Sequence, residues 1–173
     1  MIRRKAPLTP AEALGRAAAL CDKCEQCTTE LYRKFETWGL SSADARRVMG
    51  RLIELRYVDD RRYCRAYAHS KMAYSGWGRY KILMGLRAKR LDRDDIDYGL
   101  GELDPDEYRS VALRVVRSKV RQMDGGLSTY ENCMKVLRFG AGRGFEPALL
   151  TAIINRLAKA ETDEDDPSGT STD

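Results

Sequence analysis

Residues 31–40 read LYRKFETWGL, and two later segments share its apolar pattern: ILMGLRAKRL at 82–91 and VLRFGAGRGF at 136–145. The starts of successive segments are 51 and 54 residues apart, and each segment ends on an apolar residue just before a new helix is expected. Weak self-similarity with a period of about fifty residues is typical of helical repeat proteins. The spacing therefore predicts an array of tandem helical repeats.

Helix-start signals divide the chain around those segments. Thr9-Pro10-Ala11-Glu12 combines a capping hydroxyl, a proline at the first helical position and a glutamate three residues after the cap. Residues 104–107 repeat this arrangement, and weaker versions start at Ser41, Asp92 and Ser128. No segment alternates with a period of two for long enough to form a strand. The sequence predicts an all-α protein.

We expect three tandem three-helix repeats forming an elongated, curved molecule. The predicted helices lie at 10–22, 28–38, 42–55, 60–75, 79–90, 93–102, 105–123, 129–142 and 146–160. The predicted domains are an N-terminal extension (1–9), three repeats (10–58, 59–103 and 104–160) and a disordered acidic tail (161–173).

The charge of the chain is unevenly distributed. The formal net charge is +5, but residues 161–173 carry six carboxylates and no base, so residues 1–160 hold 31 basic and 20 acidic side chains. An excess of eleven positive charges points to a polyanionic partner, of which nucleic acid is the commonest. A solvated basic surface without a partner is the alternative.

Composition also bears on the compartment. The chain shows no secretory signal pattern and no apolar run long enough to cross a bilayer. Its five cysteines are an odd number, which argues against a disulfide framework. We expect a cytoplasmic protein without membrane contact.

Four sequence elements, in order, resemble those of the RecX family, bacterial regulators of the RecA recombinase. The resemblance runs from about residue 11 to residue 158, and its elements are TELYRKFETWGL (through Glu30, Leu31, Lys34, Phe35 and Gly39), LIELRYVDDRRYCRAY (through Tyr57, Val58, Asp59, Asp60, Tyr63 and Cys64), Gly78-Arg79-Tyr80-Lys81-Ile82, and Arg143 to Phe145. Two positions depart from the family pattern, since Arg56 and Arg90 stand where the family usually has glycine. Gly140 and Gly142 fall inside a predicted helix, at a cost of up to about 1 kcal/mol each.

The resemblance implies a regulator with no catalytic activity. We also expect a monomer without cofactor or metal. Proteins of this family bind the filament that RecA forms on single-stranded DNA and limit its recombinase, ATPase and coprotease activities. An autonomous DNA-binding protein that uses its three-helix units as helix-turn-helix modules is the main alternative. A thiol-metal sensor, resting on Cys21, Cys24 and Cys27 alone, is another.

Residues 61–90 are the first candidate for a binding surface, because they contain nine lysines and arginines and no carboxylate. Residues 108–123 form a second acid-free stretch. Basic side chains neutralise phosphates, and interleaved aromatic rings stack on bases. We predict that the two stretches form one basic, concave strip that contacts RecA and single-stranded DNA. Its predicted residues are Arg61, Arg62, Arg65, Lys71, Trp77, Arg79, Lys81, Arg87, Lys89, Arg90, Arg109, Arg114, Arg117, Lys119 and Arg121.

Helical spacing separates the core of the first stretch from its surface. The i, i+3, i+4, i+7 pattern predicts a buried stripe of Tyr63, Ala66, Tyr67, Ser70, Ala73 and Tyr74. The bases that flank this stripe, Arg61, Arg62, Arg65 and Lys71, are predicted to be solvated. Trp77 lies between two glycines, where helix periodicity does not explain it, so packing under the loop and contact with a partner both stay open.

The remaining chemically suggestive residues have structural explanations. Asp59 and Asp60 are a pair of carboxylates, but an aspartate just before a helix is expected to cap it. His69 is predicted to lie on a helix surface without catalytic partners. The cysteines are predicted to pack as small apolar side chains.

Overall fold

The computed structural model describes residues 6–164 and contains nine α-helices, with no strand within that range. The helices are α1 (Pro10–Cys21), α2 (Thr28–Thr37), α3 (Ser42–Glu54), α4 (Asp60–Ser75), α5 (Arg79–Ala88), α6 (Arg93–Gly101), α7 (Pro105–Val120), α8 (Tyr130–Gly142) and α9 (Pro147–Glu164). The all-α prediction is confirmed. None of the helices described combines the length and apolar character needed to cross a membrane.

Two of the predicted terminal segments are only partly covered. Residues 1–5 of the predicted N-terminal extension lie outside the described residues. Helix α9 continues to Glu164, so the first four residues of the predicted tail at 161–173 are helical. Residues 165–173 lie outside the described part of the chain.

Packing divides the chain into two units. The first unit holds the residues up to Tyr67 together with Gly85–Glu102, and the second holds Ala68–Met84 together with the residues from Leu103 onward. Helices α4 and α5 therefore contribute to both units. The boundaries of the three sequence repeats stay a prediction.

The core of the first unit lies among α1, α2 and α3. Leu31 and Phe35 of α2 are fully buried, and Val48 and Leu52 of α3 and Ala17 of α1 pack with them. Burial of each large side chain contributes about 1.5–3 kcal/mol relative to its exposed state. This cluster explains the apolar spacing of LYRKFETWGL, because the residues at 31 and 35 recur one helical turn apart and face the same core.

The adjacent aspartates cap two different helices. Asp59 Oδ1 accepts a hydrogen bond from the backbone N–H of Arg62 at 2.9 Å, which caps α4 as predicted. The side chain of Asp60 crosses to α2, whose own N-cap residue, Cys27, forms no side-chain cap. Its carboxylate accepts from the backbone N–H of Thr28 at 2.8 Å and from the Thr28 hydroxyl at 2.6 Å. Both carboxylates are therefore committed to helix termini.

The cysteines divide into buried and exposed members. Cys27 and Cys64 are fully buried, as predicted, and burial raises the pKa of Cys64 to about 12. Gly99 of α6 makes room for Cys64, because a Cβ on Gly99 would lie 2.8 Å from the Cys64 Cβ. Cys24 is exposed, so the packing prediction is wrong for this residue. It follows the end of α1, where the chain turns toward α2.

Several helices end on a residue in the left-handed region. Gly39 (φ 80°) and Gly144 (φ 91°) occupy this conformation at two ends, and Arg56 (φ 60°) and Arg90 (φ 57°) occupy it at two others. At the end of α3, the Arg56 N–H donates to the Ile53 carbonyl oxygen at 2.9 Å, and the next N–H, that of Tyr57, donates to Leu52 at 2.9 Å. This hydrogen-bonding pattern favours glycine, since a Cβ is strained there. The two arginines thus carry a strained backbone at these two helix ends.

We expect Arg56→Gly to stabilise the protein. Removing the Cβ relieves about 1–2 kcal/mol of backbone strain. Glycine is more flexible in the unfolded chain, and this offsets about 0.5–1 kcal/mol of that stabilisation. The net gain of roughly 0.5–1 kcal/mol is measurable by thermal or urea unfolding. Arg56→Ala is the matched control, because it removes the same side chain but keeps the strained Cβ, and it should give no gain. A lower melting temperature for Arg56→Gly would contradict this account.

The second unit is built on α7, α8 and α9, which contact one another. Its core includes Tyr108, Val116, Val136, Phe145 and Leu150, all of them buried. Gly140, which interrupts α8 in the sequence, lies directly against the fully buried Leu150 side chain. A Cβ on it would lie 2.5 Å from Leu150 Cδ2 of α9. The low helix propensity of glycine is therefore offset here by closer packing of α8 against α9.

Two sequence elements of the second unit meet through their backbones. The Gly78 N–H donates to the Arg143 carbonyl oxygen at 2.8 Å, and the Tyr80 N–H donates to the Gly144 carbonyl oxygen at 3.1 Å. A Cβ on Gly78 would clash with the Gly144 carbonyl, and one on Gly144 would clash with the backbone nitrogen of Lys81. The α4–α5 turn and the α8–α9 turn therefore lie closer together than any residue with a side chain allows.

The buried face of α4 differs from the predicted stripe. Cys64, Ala68 and Met72 are fully buried, whereas Tyr74 is 86% exposed and Ser70 is exposed. The observed face repeats every four residues, which places position 74, two residues beyond Met72, on the opposite side of the helix. The prediction is correct for Tyr63, which is 7% exposed, and wrong for Tyr74 and Ser70. Ala66, Tyr67 and Ala73 are half-buried.

Candidate nucleic-acid interface

The predicted binding residues are distributed over both units. Six lie in the first unit: Arg61, Arg62, Arg65, Arg87, Lys89 and Arg90. Nine lie in the second: Lys71, Trp77, Arg79, Lys81, Arg109, Arg114, Arg117, Lys119 and Arg121.

Two bases of the first unit are held by the fold. Arg62 Nε donates to Glu25 Oε1 at 2.6 Å, and its Nη2 reaches the carbonyl oxygens of Arg56 and Tyr57, each at 3.2 Å. The prediction that Arg62 is solvated is therefore wrong, because its guanidinium closes the end of α3. Lys89 forms an ion pair with Glu30.

Lys89 is also close to aromatic rings. Its Nζ lies 5.6 Å from the centroid of the Tyr63 ring and 5.5 Å from that of Tyr67. Burial alone would lower the pKa of Lys89, but hydrogen bonds to Glu30 and Tyr63 outweigh that effect and raise it. The ammonium group of Lys89 is therefore engaged by Glu30 and Tyr63 within the first unit.

The other four predicted binding residues of the first unit are exposed. Arg65, Arg87 and Arg90 are exposed to solvent. Arg61 is exposed too, although its guanidinium lies 3.9 Å from the centroid of the Tyr98 ring. Stacking on a tyrosine leaves the edge N–H groups of an arginine available to a phosphate. Arg61 and Arg65 match the predicted exposure, whereas Lys71, also predicted to be solvated, is half-buried.

The tryptophan of the SGWGRYK turn packs against two predicted binding residues. Lys71 Nζ lies 5.0 Å and Lys81 Nζ 4.9 Å from the centroid of the half-buried Trp77 ring. The backbone N–H of Trp77 donates to the Lys71 carbonyl oxygen at 3.1 Å, and this hydrogen bond closes the C-terminal end of α4. The structure thus brings these three residues together and gives Trp77 a packing role. Contact of the ring with a partner stays a prediction.

Arg79 belongs to a cluster that joins three segments of the second unit. The Tyr108 hydroxyl donates to Glu146 Oε2 at 2.7 Å and accepts from the Arg79 backbone N–H at 3.0 Å. The Arg79 guanidinium lies 4.2 Å from the Tyr108 ring centroid and 3.5 Å from Glu146 Oε1. Burial raises the pKa of Tyr108, so the hydroxyl stays protonated and keeps donating. Arg79 is anchored here, with a side chain that is 38% exposed.

Helix α7 and its C-cap residue, Arg121, carry five of the predicted binding residues of the second unit. Arg114, Arg117 and Arg121 are exposed. Arg109 pairs with Asp106 at 2.9 Å, and Lys119 Nζ lies 5.5 Å from the Phe139 ring centroid. The surface between Tyr74 and Phe139 consequently carries several cations close to aromatic rings.

Part of this surface is a depression of about 400 Å³, which we call the basic depression. Its lining comprises Tyr74, Ser75, Gly76, Arg114, Val115, Ser118, Arg121, Phe139 and Arg143. Arg114 Nη2 donates to the Ala73 carbonyl oxygen at 2.9 Å, and Arg143 Nη1 donates to the Ser75 carbonyl oxygen at 3.2 Å. Both guanidiniums are thereby fixed at the C-terminal end of α4, where helix carbonyls attract cations.

The basic depression has the chemistry that single-stranded nucleic acid requires. Three arginines supply positive charge for phosphates, and the largely exposed Tyr74 ring supplies a face for base stacking. Two of its arginines, Arg114 and Arg121, are predicted binding residues.

Sequence reasoning missed Tyr74, Phe139 and Arg143 as members of this site. Tyr74 is assigned to the core by a stripe that is out of phase with the observed one. Arg143 lies in the RGF element, whose proximity to Ser75 comes from the packing of the two turns. The sequence offers one signal for Arg143: its neighbour is Gly144, and a glycine can mark a place where two backbones approach closely.

The residues that suggested metal or acid–base chemistry form no such site in the structure. Within the described residues, no group of three or more histidine, cysteine, aspartate or glutamate side chains is placed to hold a metal ion. His69 is exposed, and its Nε2 lies 3.5 Å from Glu107 Oε2.

Comparisons with known proteins agree with the fold and the sequence elements. A family model described as the second three-helix domain of RecX matches residues 59–100. The regulatory protein RecX of Mycolicibacterium smegmatis is 30% identical over 132 residues, which cover 73% of this chain and 69% of that protein. The RecX proteins of Mycobacterium sp. strain JLS and Lactobacillus johnsonii are 31% and 27% identical, and the matches span 51% and 46% of their lengths.

Solved structures show the same fold. The crystal structure of RecX from Lactobacillus salivarius superposes with a TM-score of 0.74 at 17% identity, covering 86% of this chain and 96% of that one. A second crystal structure of a regulatory protein RecX gives a TM-score of 0.73 at 18% identity, covering 84% and 73%.

The protein is thus an all-α protein of the class built from three-helix domains. Its relatives are named regulatory proteins. The chain belongs to the RecX family.

Proposed function

We propose that this protein binds RecA and its filament on single-stranded DNA, and negatively modulates the recombinase, ATPase and coprotease activities of RecA. Membership of the RecX family supports the choice of RecA as partner. The basic depression carries the DNA part of the proposal, because it combines exposed arginines with an exposed aromatic ring in one described unit. In this proposal the protein acts by binding and is not an enzyme.

The proposed setting is the cytoplasm, where RecA acts. All five cysteines are free, which suits a reducing compartment, and burial raises the pKa of Cys21 and Cys27, which keeps these two thiols unreactive. We further propose that the protein works as a monomer.

Helix-turn-helix binding to duplex DNA has less support. On α3, Arg47 pairs with Asp44, and Arg51 pairs with Glu54 at 3.0 Å. On α6, Arg93 pairs with Asp97 at 3.4 Å. A recognition helix instead presents unpaired donors to the base edges. Three of the four arginines on the two candidate recognition helices are thus paired with acids of their own helix, and the fourth, Arg46 of α3, is exposed.

The proposed function predicts inhibition of RecA ATPase on single-stranded DNA as this protein is added. We expect the ATPase rate to fall progressively and to be largely lost below a 1:1 ratio to RecA, because one bound molecule obstructs several filament subunits. A steady-state ATPase assay with the cognate RecA measures this. An ATPase rate that is unchanged at an equimolar amount would rule out the proposed function for this chain. The same protein denatured by heat is the control for nonspecific effects.

A further inference from the structure

A groove between α7 and α9 shares no lining residue with the basic depression and has different chemistry. Its floor is aliphatic, formed by Leu113, Leu149, Ile153 and Leu157, and its volume is about 510 Å³. Arg117 and Arg156, both exposed, line it as well. We call this surface the α7–α9 groove. The four apolar side chains are half-buried, so part of each still faces water.

The composition of the groove favours a protein segment over a nucleic acid. Its lining, all within the described residues, contains no aromatic side chain on which a base would stack. Aliphatic surface is instead covered favourably by aliphatic side chains of a partner, because contact removes both surfaces from water.

The charges of the groove define the partner further. Arg109, Arg117 and Arg156 face a single acid of the lining, Asp106, and that acid already pairs with Arg109 at 2.9 Å. The lining therefore carries a net positive charge, and carboxylates on a partner complement it.

The groove also has the dimensions of a helix site. It extends along α7 from Asp106 to Arg117, which corresponds to about 17 Å or three helical turns. A groove between two helices accepts the apolar face of a third, with anchors spaced at i, i+4 and i+7.

We propose that the α7–α9 groove binds an acidic amphipathic helix of a partner protein, with apolar side chains against Leu113, Leu149 and Ile153 and carboxylates against Arg117 and Arg156. This site is separate from the DNA contact of the proposed function and does not depend on it. It would give the protein a second means of attachment, directed at protein instead of nucleic acid.

The test is binding of a synthetic helical peptide to the full chain, followed by fluorescence anisotropy. The probe is a labelled peptide of about 14 residues with leucines at i, i+4, i+7 and i+11 and glutamates elsewhere. Two matched peptides carry lysine in place of each glutamate, or serine in place of each leucine. We expect the acidic leucine peptide to bind and both matched peptides to bind at least tenfold more weakly.

Two variants locate the binding. Arg156→Glu reverses an exposed charge of the groove and should weaken the peptide roughly tenfold or more, whereas Arg46→Glu, an exposed position on α3, should change binding less than twofold. Ile153→Ser removes an apolar anchor and should weaken binding roughly fivefold while leaving its salt dependence intact. Melting temperatures of all variants check that the fold is retained.

Three outcomes would overturn the proposal. The first is that the lysine peptide binds as tightly as the acidic one, and the second is that both groove variants keep the affinity of the parent. The third is a stable dimer that Arg156→Glu dissociates, because the occupant of the groove would then be a second copy of this chain. Because neither Arg156 nor Ile153 lines the basic depression, loss of peptide binding with retained inhibition of RecA separates this site from the proposed function.

Discussion

Gly144→Ala should lower the stability of the protein by about 3 kcal/mol or more, which corresponds to a fall in melting temperature of roughly 6–12 °C for a chain of this size. Two costs add at this position. The backbone φ of Gly144 is 91°, where a Cβ is strained, and that Cβ would also clash with the backbone of Lys81. The neighbour is main chain and does not rotate away, so the two turns must separate.

Differential scanning calorimetry or urea unfolding measures this effect. Gly78→Ala is a second variant with the clash alone, since its φ is not in the left-handed region, and it should be destabilising too. Gly142→Ala is the control, because a Cβ on this exposed helical glycine would point into open space, and the change should be neutral or mildly stabilising. Equal melting temperatures for Gly144→Ala and the parent would refute the close backbone contact.

The second large effect is expected on single-stranded DNA. Replacing Arg114 and Arg121 with glutamine removes two charges from the basic depression. A phosphate contact on a single strand contributes a slope of about 0.7 in log K against log salt, or about fivefold in affinity between 1 M and 0.1 M salt. The double variant should therefore bind an oligonucleotide about 25-fold more weakly at 0.1 M salt, with the slope reduced by about 1.4.

Fluorescence anisotropy with a labelled poly-dT strand over a salt series measures both quantities. The matched control replaces two exposed arginines of the first unit, Arg33 and Arg46, and removes the same charge. Loss of the hydrogen bond from Arg114 to Ala73 costs about 1 kcal/mol of stability, which the melting temperature reports separately. Equal losses of affinity in the double variant and its control would mean that net charge alone, and not the basic depression, governs binding.

Tyr74→Ala is the complementary variant, because it removes a ring and no charge. One stacked base contributes about 1–3 kcal/mol, so affinity should fall roughly fivefold to a hundredfold while the salt slope stays the same. An affinity that is unchanged would remove Tyr74 from the site.

The helical architecture was predictable because its signals are local. The cap at Thr9 and its counterpart at Asp104 both form, and the helices that they begin start at Pro10 and Pro105 as predicted. Asp59 caps α4 from the position directly before it. Interactions of this kind depend on residues within one helical turn, which the sequence displays directly.

The features that escaped prediction depend on distant residues. Asp60 caps α2 across 32 residues, and Arg143 reaches Ser75 across 68. The phase of the buried face of α4 is likewise set by what packs against it, which is why Tyr74 was misplaced in the core. The basic depression combines two predicted arginines with three residues that only tertiary packing brings beside them.

The contact between the α4–α5 turn and the α8–α9 turn also has a consequence for how the chain is made. Gly144 is synthesised 66 residues after Gly78. At about 5–20 residues per second, the earlier turn is synthesised roughly 3–13 s before its partner. Closing so long a loop also costs more entropy than forming any of the helices' own turns. The second unit is therefore completed only after Gly144 has been synthesised, and the α4–α5 turn lacks its backbone partner during that interval.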